Sequence, residues 1–145
     1  MSPARPATRS LRNVVPLLLL ACLAAAPASA QGMTEPAQVR PILEMTRANW
    51  VAIGKQESQD LFYFTHLAAW RCALEGAEMR INGAKEAITL PLEPCYRGTN
   101  QPNAIRGLPF ISFPPGHIEE VELRITYTDG ETDSATFLRT DIVMP

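Results

Sequence analysis

This chain is poor in the residues that usually carry chemistry, and each scarcity excludes something. Histidine occurs twice, as His66 and His117, and cysteine three times, as Cys22, Cys72 and Cys95. With no Cys-x-x-Cys or His-x-x-x-His companion, these do not make the ligand spacing of a zinc site. No serine stands in a Gly-x-Ser-x-Gly elbow, and no nucleotide-binding loop or haem motif occurs. Nothing in the sequence points to a cofactor. Long apolar runs are missing too. The longest, Val14 to Ala26, is broken by Pro16 and falls short of the roughly 20 residues a membrane-spanning helix needs.

That run belongs to an export leader. Arg5, Arg9 and Arg12 form a basic region ahead of it, and Ala28-Ser29-Ala30 supplies the small residues a signal peptidase reads. Residues 1–30 are therefore the predicted signal peptide and Gln31 the predicted mature start. The leader removes three basic residues and no acidic ones, leaving 10 basic against 15 acidic side chains and a net charge of −5. Such a chain has no electrostatic reason to seek nucleic acid or anionic lipid. The expected location is periplasmic or secreted. The alternative is a lipoprotein anchored at Cys22 behind Leu19-Leu20-Ala21. It would leave Leu23 to Ala26 as an apolar tether where a polar one is usual, so the unanchored reading is preferred.

Once the leader is gone, Cys72 and Cys95 are the only thiols in an oxidising compartment, and a disulfide between them is expected. The alternative is a pair of buried free thiols. The mature chain is long enough for one domain with a single core, and small enough to profit from a covalent tie.

Residues 31–38 read as a flexible polar segment, and 39–145 as the folded domain. Val39 to Met45 suits either a short helix with Pro41 in its first turn or an edge strand. Asn49 to Ile53, around Trp50, reads as a strand. Asp60 to Leu74 holds four of the ten aromatic residues, Phe62, Tyr63, Phe64 and Trp70. Neither of its alternate sets is polar, so it reads as a long central strand covered on both faces and bent near Ala68-Ala69, with Trp70 in the core. Ala77 to Leu90 reads as a hairpin about Asn82-Gly83. A four-residue loop is preferred there because it sets Met79 against Ile88 and Ala77 against Leu90. Phe110 to Phe113 is a short strand stopped by Pro114-Pro115-Gly116. Glu119 to Arg139 is the clearest hairpin: a three-residue loop, Thr128-Asp129-Gly130, pairs Val121 with Phe137, Leu123 with Ala135 and Glu119 with Arg139. Ile142 to Met144 is either a last strand or a plug on the core. Seven or eight short strands with no long helix point to an all-β fold: an antiparallel β-sandwich of the immunoglobulin-like kind, with a small barrel as the alternative.

Several segments are similar to a group of small exported Gram-negative bacterial proteins with no assigned function. They are the leader, Arg40-Pro-Ile-Leu-Glu-Met-Thr, Asp60-Leu-Phe-Tyr-Phe-Thr-His-Leu, Trp70-Arg-Cys, Glu93-Pro-Cys-Tyr and the tail from Thr126 to Pro145. The resemblance implies export and supplies no catalytic residue or ligand.

Three features invite a functional reading. His66 with a nearby carboxylate would suit a small hydrolase, but its alternation with Phe64 and Ala68 suits a core or boundary histidine, which is preferred. Asp129, Glu131 and Asp133 alternate across the last turn, a pattern an oxygen-loving cation such as calcium could use. No EF-hand pattern accompanies them, and a solvated turn is preferred. The third is the aperiodic stretch after Cys95, where Tyr96, Arg97, Asn100, Gln101, Asn103 and Arg106 offer an aromatic face, two guanidiniums and three amides. Arg97 and Arg106 are its only charges, so a positive spot that favours an acidic ligand or protein partner is expected there, the open alternative being a long connection with no role. The preferred function is therefore a non-enzymatic binding or accessory module.

Overall fold

The computed structural model describes residues 32–145; the expected signal peptide, the cleavage point at Gln31 and Cys22 lie outside the described residues. Helix α1 spans Pro36–Met45 and a 3-10 turn Arg47–Asn49 follows it. Strands β1 (Ala52–Lys55) and β2 (Asp60–Tyr63) come next, then a short helix α2 (Thr65–Ala69) and a second 3-10 turn, Arg71–Ala73. The remaining elements are β3 (Leu74–Ile81), β4 (Ile88–Thr89), β5 (Phe110–Phe113), β6 (Glu120–Tyr127), β7 (Thr132–Leu138) and a final turn of helix α3 (Arg139–Ile142).

The seven strands form two antiparallel sheets, ordered β1-β2-β5 and β4-β3-β6-β7. One cluster of buried side chains draws on both: Ile53 and Phe62 from the first, and Met79, Leu123, Ile125 and Phe137 from the second. The four-stranded sheet keeps the alternation of its sequence. Val121, Leu123, Ile125 and Tyr127 are buried, whereas Glu122 and Arg124 face out.

Both hairpin registers follow the pattern of apolar residues. Val121 pairs with Phe137 and Leu123 with Ala135 around the three-residue loop, where Gly130 takes φ 85°. A residue with a Cβ is strained in that left-handed conformation. The N–H of Arg139 donates to the carbonyl of Glu119, as that register requires. Met79 pairs with Ile88, and the N–H of Leu90 reaches the carbonyl of Ala77. The side chain of Asn82 ties this hairpin to the next, accepting from the N–H groups of Glu119 and Glu120 and donating to the carbonyl of His117.

Asp60 to Leu74 departs from the expected single strand. Only Asp60–Tyr63 is the covered central strand of its sheet; the chain then turns helical and emerges as β3 at Leu74. The buried positions explain why. Phe64, Leu67, Ala68, Arg71 and Cys72 are all buried, and their spacing of i, i+3, i+4, i+7, i+8 is that of one helical face. Trp70 is consequently only half-buried. The buried tryptophan is Trp50, fully enclosed, whose Nε1–H donates to the carbonyl of Leu43. It precedes β1 rather than lying within a strand.

Of the two readings of Val39 to Met45, a helix is found, although Pro41 lies inside it rather than in its first turn. It opens at Pro36, inside the stretch expected to be a flexible lead-in, because proline at the first helical position loses no hydrogen bond. Val39 and Leu43 go into the core. At the other end, Ile142 is buried and Val143 makes a single parallel bridge to Ile53, so the C-terminus both plugs the core and touches a sheet edge.

A disulfide joins Cys72 to Cys95 across a separation of 23 residues, a closure worth about 3 kcal/mol in the chain-entropy picture. Elsewhere an ion pair with a buried carboxylate ties β2 to α3 at the end of β7. The carboxylate of Asp60 on β2 meets Arg139 Nη1 at 2.7 Å and accepts the N–H of Gly116 at 2.8 Å. Arg139 and then that N–H hold the Asp60 carboxyl below the usual aspartate range, against the opposing effect of burial.

Candidate functional site

No helix or strand covers the chain between Thr89 and Phe110, yet that segment is heavily anchored. The anchor is Arg71, whose side chain is fully buried. Its guanidinium donates to the carbonyls of Ala68, Pro94, Asn103 and Ala104 at 2.8–3.1 Å, and more loosely to Pro102 at 3.5 Å. Four of those five carbonyls belong to the segment itself. A planar fork with five N–H donors can satisfy such a ring of acceptors, and an ammonium cannot. The Cys72–Cys95 bridge lies alongside, with Cys72 Sγ in contact with the Pro102 carbonyl at 3.2 Å.

Glu93 supplies a second clamp. Its carboxylate accepts the backbone N–H groups of Arg106 and Gly107 and lies 3.7 Å from Arg71. Those N–H groups, Arg106 first, hold its pKa below the usual glutamate range.

The residues expected to form a partner surface divide into two groups. Asn103 is structural: its Oδ1 accepts the N–H of Cys72 and its Nδ2 donates to the carbonyl of Met33. Tyr96 is half-buried and lies between two guanidiniums, Arg71 at 5.1 Å and Arg106 at 3.9 Å from its ring centroid. Asn100 and Gln101 are exposed. Arg97 donates to the carbonyl of Cys72 and comes within 4.0 Å of Glu35. The expected positive spot is thus offset by two carboxylates, Glu35 and Glu93. Arg106 makes no salt bridge among the described residues, although its charge also helps to hold the Glu93 carboxyl low.

His66 borders a different feature, an open cleft of about 490 Å³ beside Trp50, Val51, Tyr63, Ala69 and Met144. Its Nε2 lies 2.7 Å from Thr46 Oγ1, which is itself 2.6 Å from the carbonyl of Ile42. Burial pushes the His66 pKa below its ordinary value. No aspartate or glutamate lines the cleft, so the carboxylate a hydrolase would need is not placed there. His117 is remote from it, stacked on Phe113.

The acids of the last hairpin are taken up by arginines. Arg40 Nη2 meets Asp129 at 2.7 Å and Glu131 at 3.1 Å, and Arg47 binds Asp133 through both terminal nitrogens at 2.8 Å. The hydrogen bond from Arg40 holds the Asp129 carboxyl low. These contacts fasten α1 and the turn after it to the hairpin, and Arg40 also covers the ring of the buried Tyr127 at 4.7 Å. Among the described residues, no group of three or more His, Cys, Asp or Glu side chains is placed to hold a metal ion.

Arg71 and Glu93 are what sequence reasoning missed. The signal for Arg71 was an arginine alone inside a stretch with no polar face, next to a cysteine expected to be bridged. Glu93 carried none, since its partners are backbone groups. No family model, curated protein or solved structure matches this chain.

Proposed function

We propose that this chain is an exported, non-enzymatic binding or accessory module, one of the small exported Gram-negative bacterial proteins it resembles, and that Arg106 receives a carboxylate-bearing partner. The observation that carries the reading is the stack of Arg106 on Tyr96, itself backed by the buried Arg71. A guanidinium lying flat on an aromatic ring keeps its N–H edge free for paired hydrogen bonds to a carboxylate. The loop that presents it is held by Arg71, Glu93 and the disulfide, so little ordering entropy is lost on binding. A disulfide between Cys72 and Cys95 fits an extracellular or periplasmic setting, and among the described residues no helix is long and apolar enough to cross a membrane. The sandwich part of the fold reading is supported by the core that both sheets share. Its immunoglobulin-like form rests on the pattern of short strands in the sequence.

The test uses a fluorescently labelled glutamate-rich peptide, read by anisotropy. Arg106→Ala should weaken binding at least about tenfold, the size of one lost charge-assisted contact, while the melting temperature moves by no more than about 2 °C because the side chain is exposed. Binding to the wild type should also weaken as salt rises. A double Arg97→Ala, Arg106→Ala variant that binds the peptide and recovers periplasmic partners as well as the wild type would make the loop a connection only.

A further inference from the structure

We propose that the cleft beside His66 is a binding site for a small uncharged aromatic molecule with one hydroxyl or N–H donor, which is received by Nδ1 of His66. This site is separate from the Arg106 surface and does not depend on it. At about 490 Å³, the cleft falls within the roughly 300–1,000 Å³ typical of small-molecule sites.

Its walls set the class of ligand. Tyr63 and Met144 offer an accessible aromatic ring and a flexible thioether beside Ala52 and Ala69. These are surfaces on which an aromatic ring packs well. Trp50 and Val51 are buried behind them, and Asn49 and Thr65 supply the polar rim. Gly54 of β1, which does not itself line the cleft, makes room for two of its walls, since a Cβ there would meet Tyr63 Cε2 at 2.9 Å and Met144 Cε at 3.1 Å. The absence of a Cβ lets both side chains lie against bare backbone. No Asp, Glu, Lys or Arg lines the cleft, so a charged ligand would lose hydration without a counter-ion.

The polarity of the single hydrogen bond follows from Thr46. A backbone carbonyl can only accept, so the hydroxyl proton of Thr46 lies on its 2.6 Å bond to Ile42. The 2.7 Å contact to His66 Nε2 must then be donated by the ring. Neutral imidazole has one proton, which leaves Nδ1 as an acceptor. Among the described residues nothing donates to it. A ligand hydroxyl or N–H satisfies it; an ether or a carboxylate does not.

The experiment titrates phenol, anisole and benzoate separately into the ¹⁵N-labelled chain and follows backbone amides by NMR. At pH 7.5 phenol should shift the amides of Asn49 to Ala52 and Tyr63 to His66 with saturation. It should bind about fivefold more tightly than anisole, the effect of one net hydrogen bond. Benzoate should be weaker still. Acidification protonates Nδ1, so the advantage of phenol over anisole should vanish with a midpoint below pH 6.5, the direction in which burial moves this ring. The groups around His66 in the cleft are Thr46, Asn49, Trp50, Tyr63, Thr65 and Met144, and none of them is a carboxylate, lysine, arginine or second histidine. His66→Phe should retain anisole binding and equalise the two ligands. If that variant is unstable, the pH series on the wild-type chain decides. Equal binding of phenol and anisole at pH 7.5, shifts centred elsewhere, or no saturable binding by any probe would overturn the proposal.

Discussion

Arg71→Ala should be the most damaging single substitution among the residues that anchor the loop, lowering stability by about 3–5 kcal/mol. The side chain is fully buried and donates to four carbonyls at hydrogen-bond distance. Removing it leaves the buried Ala68 carbonyl and three part-buried ones without their donor, and each unsatisfied buried group costs about 1–3 kcal/mol before relaxation. The loss approaches the whole stability of a small domain. In urea, with a slope of about 2 kcal/mol/M, the midpoint should fall by about 2 M. Arg71→Lys should recover only a minor part, since a point charge cannot reach carbonyls spread around a plane. A midpoint for Arg71→Ala within about 0.5 M of wild type would mean that the loop holds its shape without this residue.

The second large effect separates the two tryptophans. Trp50→Ala should cost about 3–5 kcal/mol, as expected for emptying a fully buried indole site. It also removes the hydrogen bond from Nε1 to Leu43, so that α1 loses part of its attachment to the core. Trp70→Ala should cost no more than about 2 kcal/mol, because that ring is half-buried at the edge of the cluster. Paired chemical denaturation of the two variants is the measurement. Equal midpoints, or a larger loss at Trp70, would contradict the core described above.

The contrast between these residues shows what could be read from the sequence and what could not. Between Glu120 and Tyr127 the apolar residues alternate strictly and one turn sequence fits one register, so strand pairing could be derived to the residue. Between Asp60 and Leu74 apolar residues are so dense that period two and period 3.6 both fit. The aromatic first half pulled the reading toward a strand, although Leu67-Ala68-Ala69 contains good helix formers. Burial at Phe64, Leu67, Ala68, Arg71 and Cys72 settles the matter only in three dimensions.

The candidate surface was legible in outline for the same kind of reason. An aperiodic polar run after a bridged cysteine marks a loop, but neighbours distant in sequence decide what each side chain does there. Asn103 is occupied by the N-terminal segment, Arg97 meets Glu35, and Tyr96 is backed by Arg71. The acids of the last hairpin behave likewise, since Arg40 and Arg47 are 89 and 86 residues from their partners Asp129 and Asp133. Local spacing cannot report such contacts.

The claim on which the binding reading rests is that the Tyr96–Arg106 loop, though without regular structure, is held as firmly as the strands. Backbone ¹⁵N relaxation of the wild-type chain tests it directly. Order parameters for residues 96–106 should be about 0.85, matching those of β3 and β6, because the buried Arg71 holds the carbonyls of Pro94, Asn103 and Ala104 and Glu93 holds the N–H of Arg106. Values below about 0.6 across the loop would show ordinary fast loop motion and contradict the account.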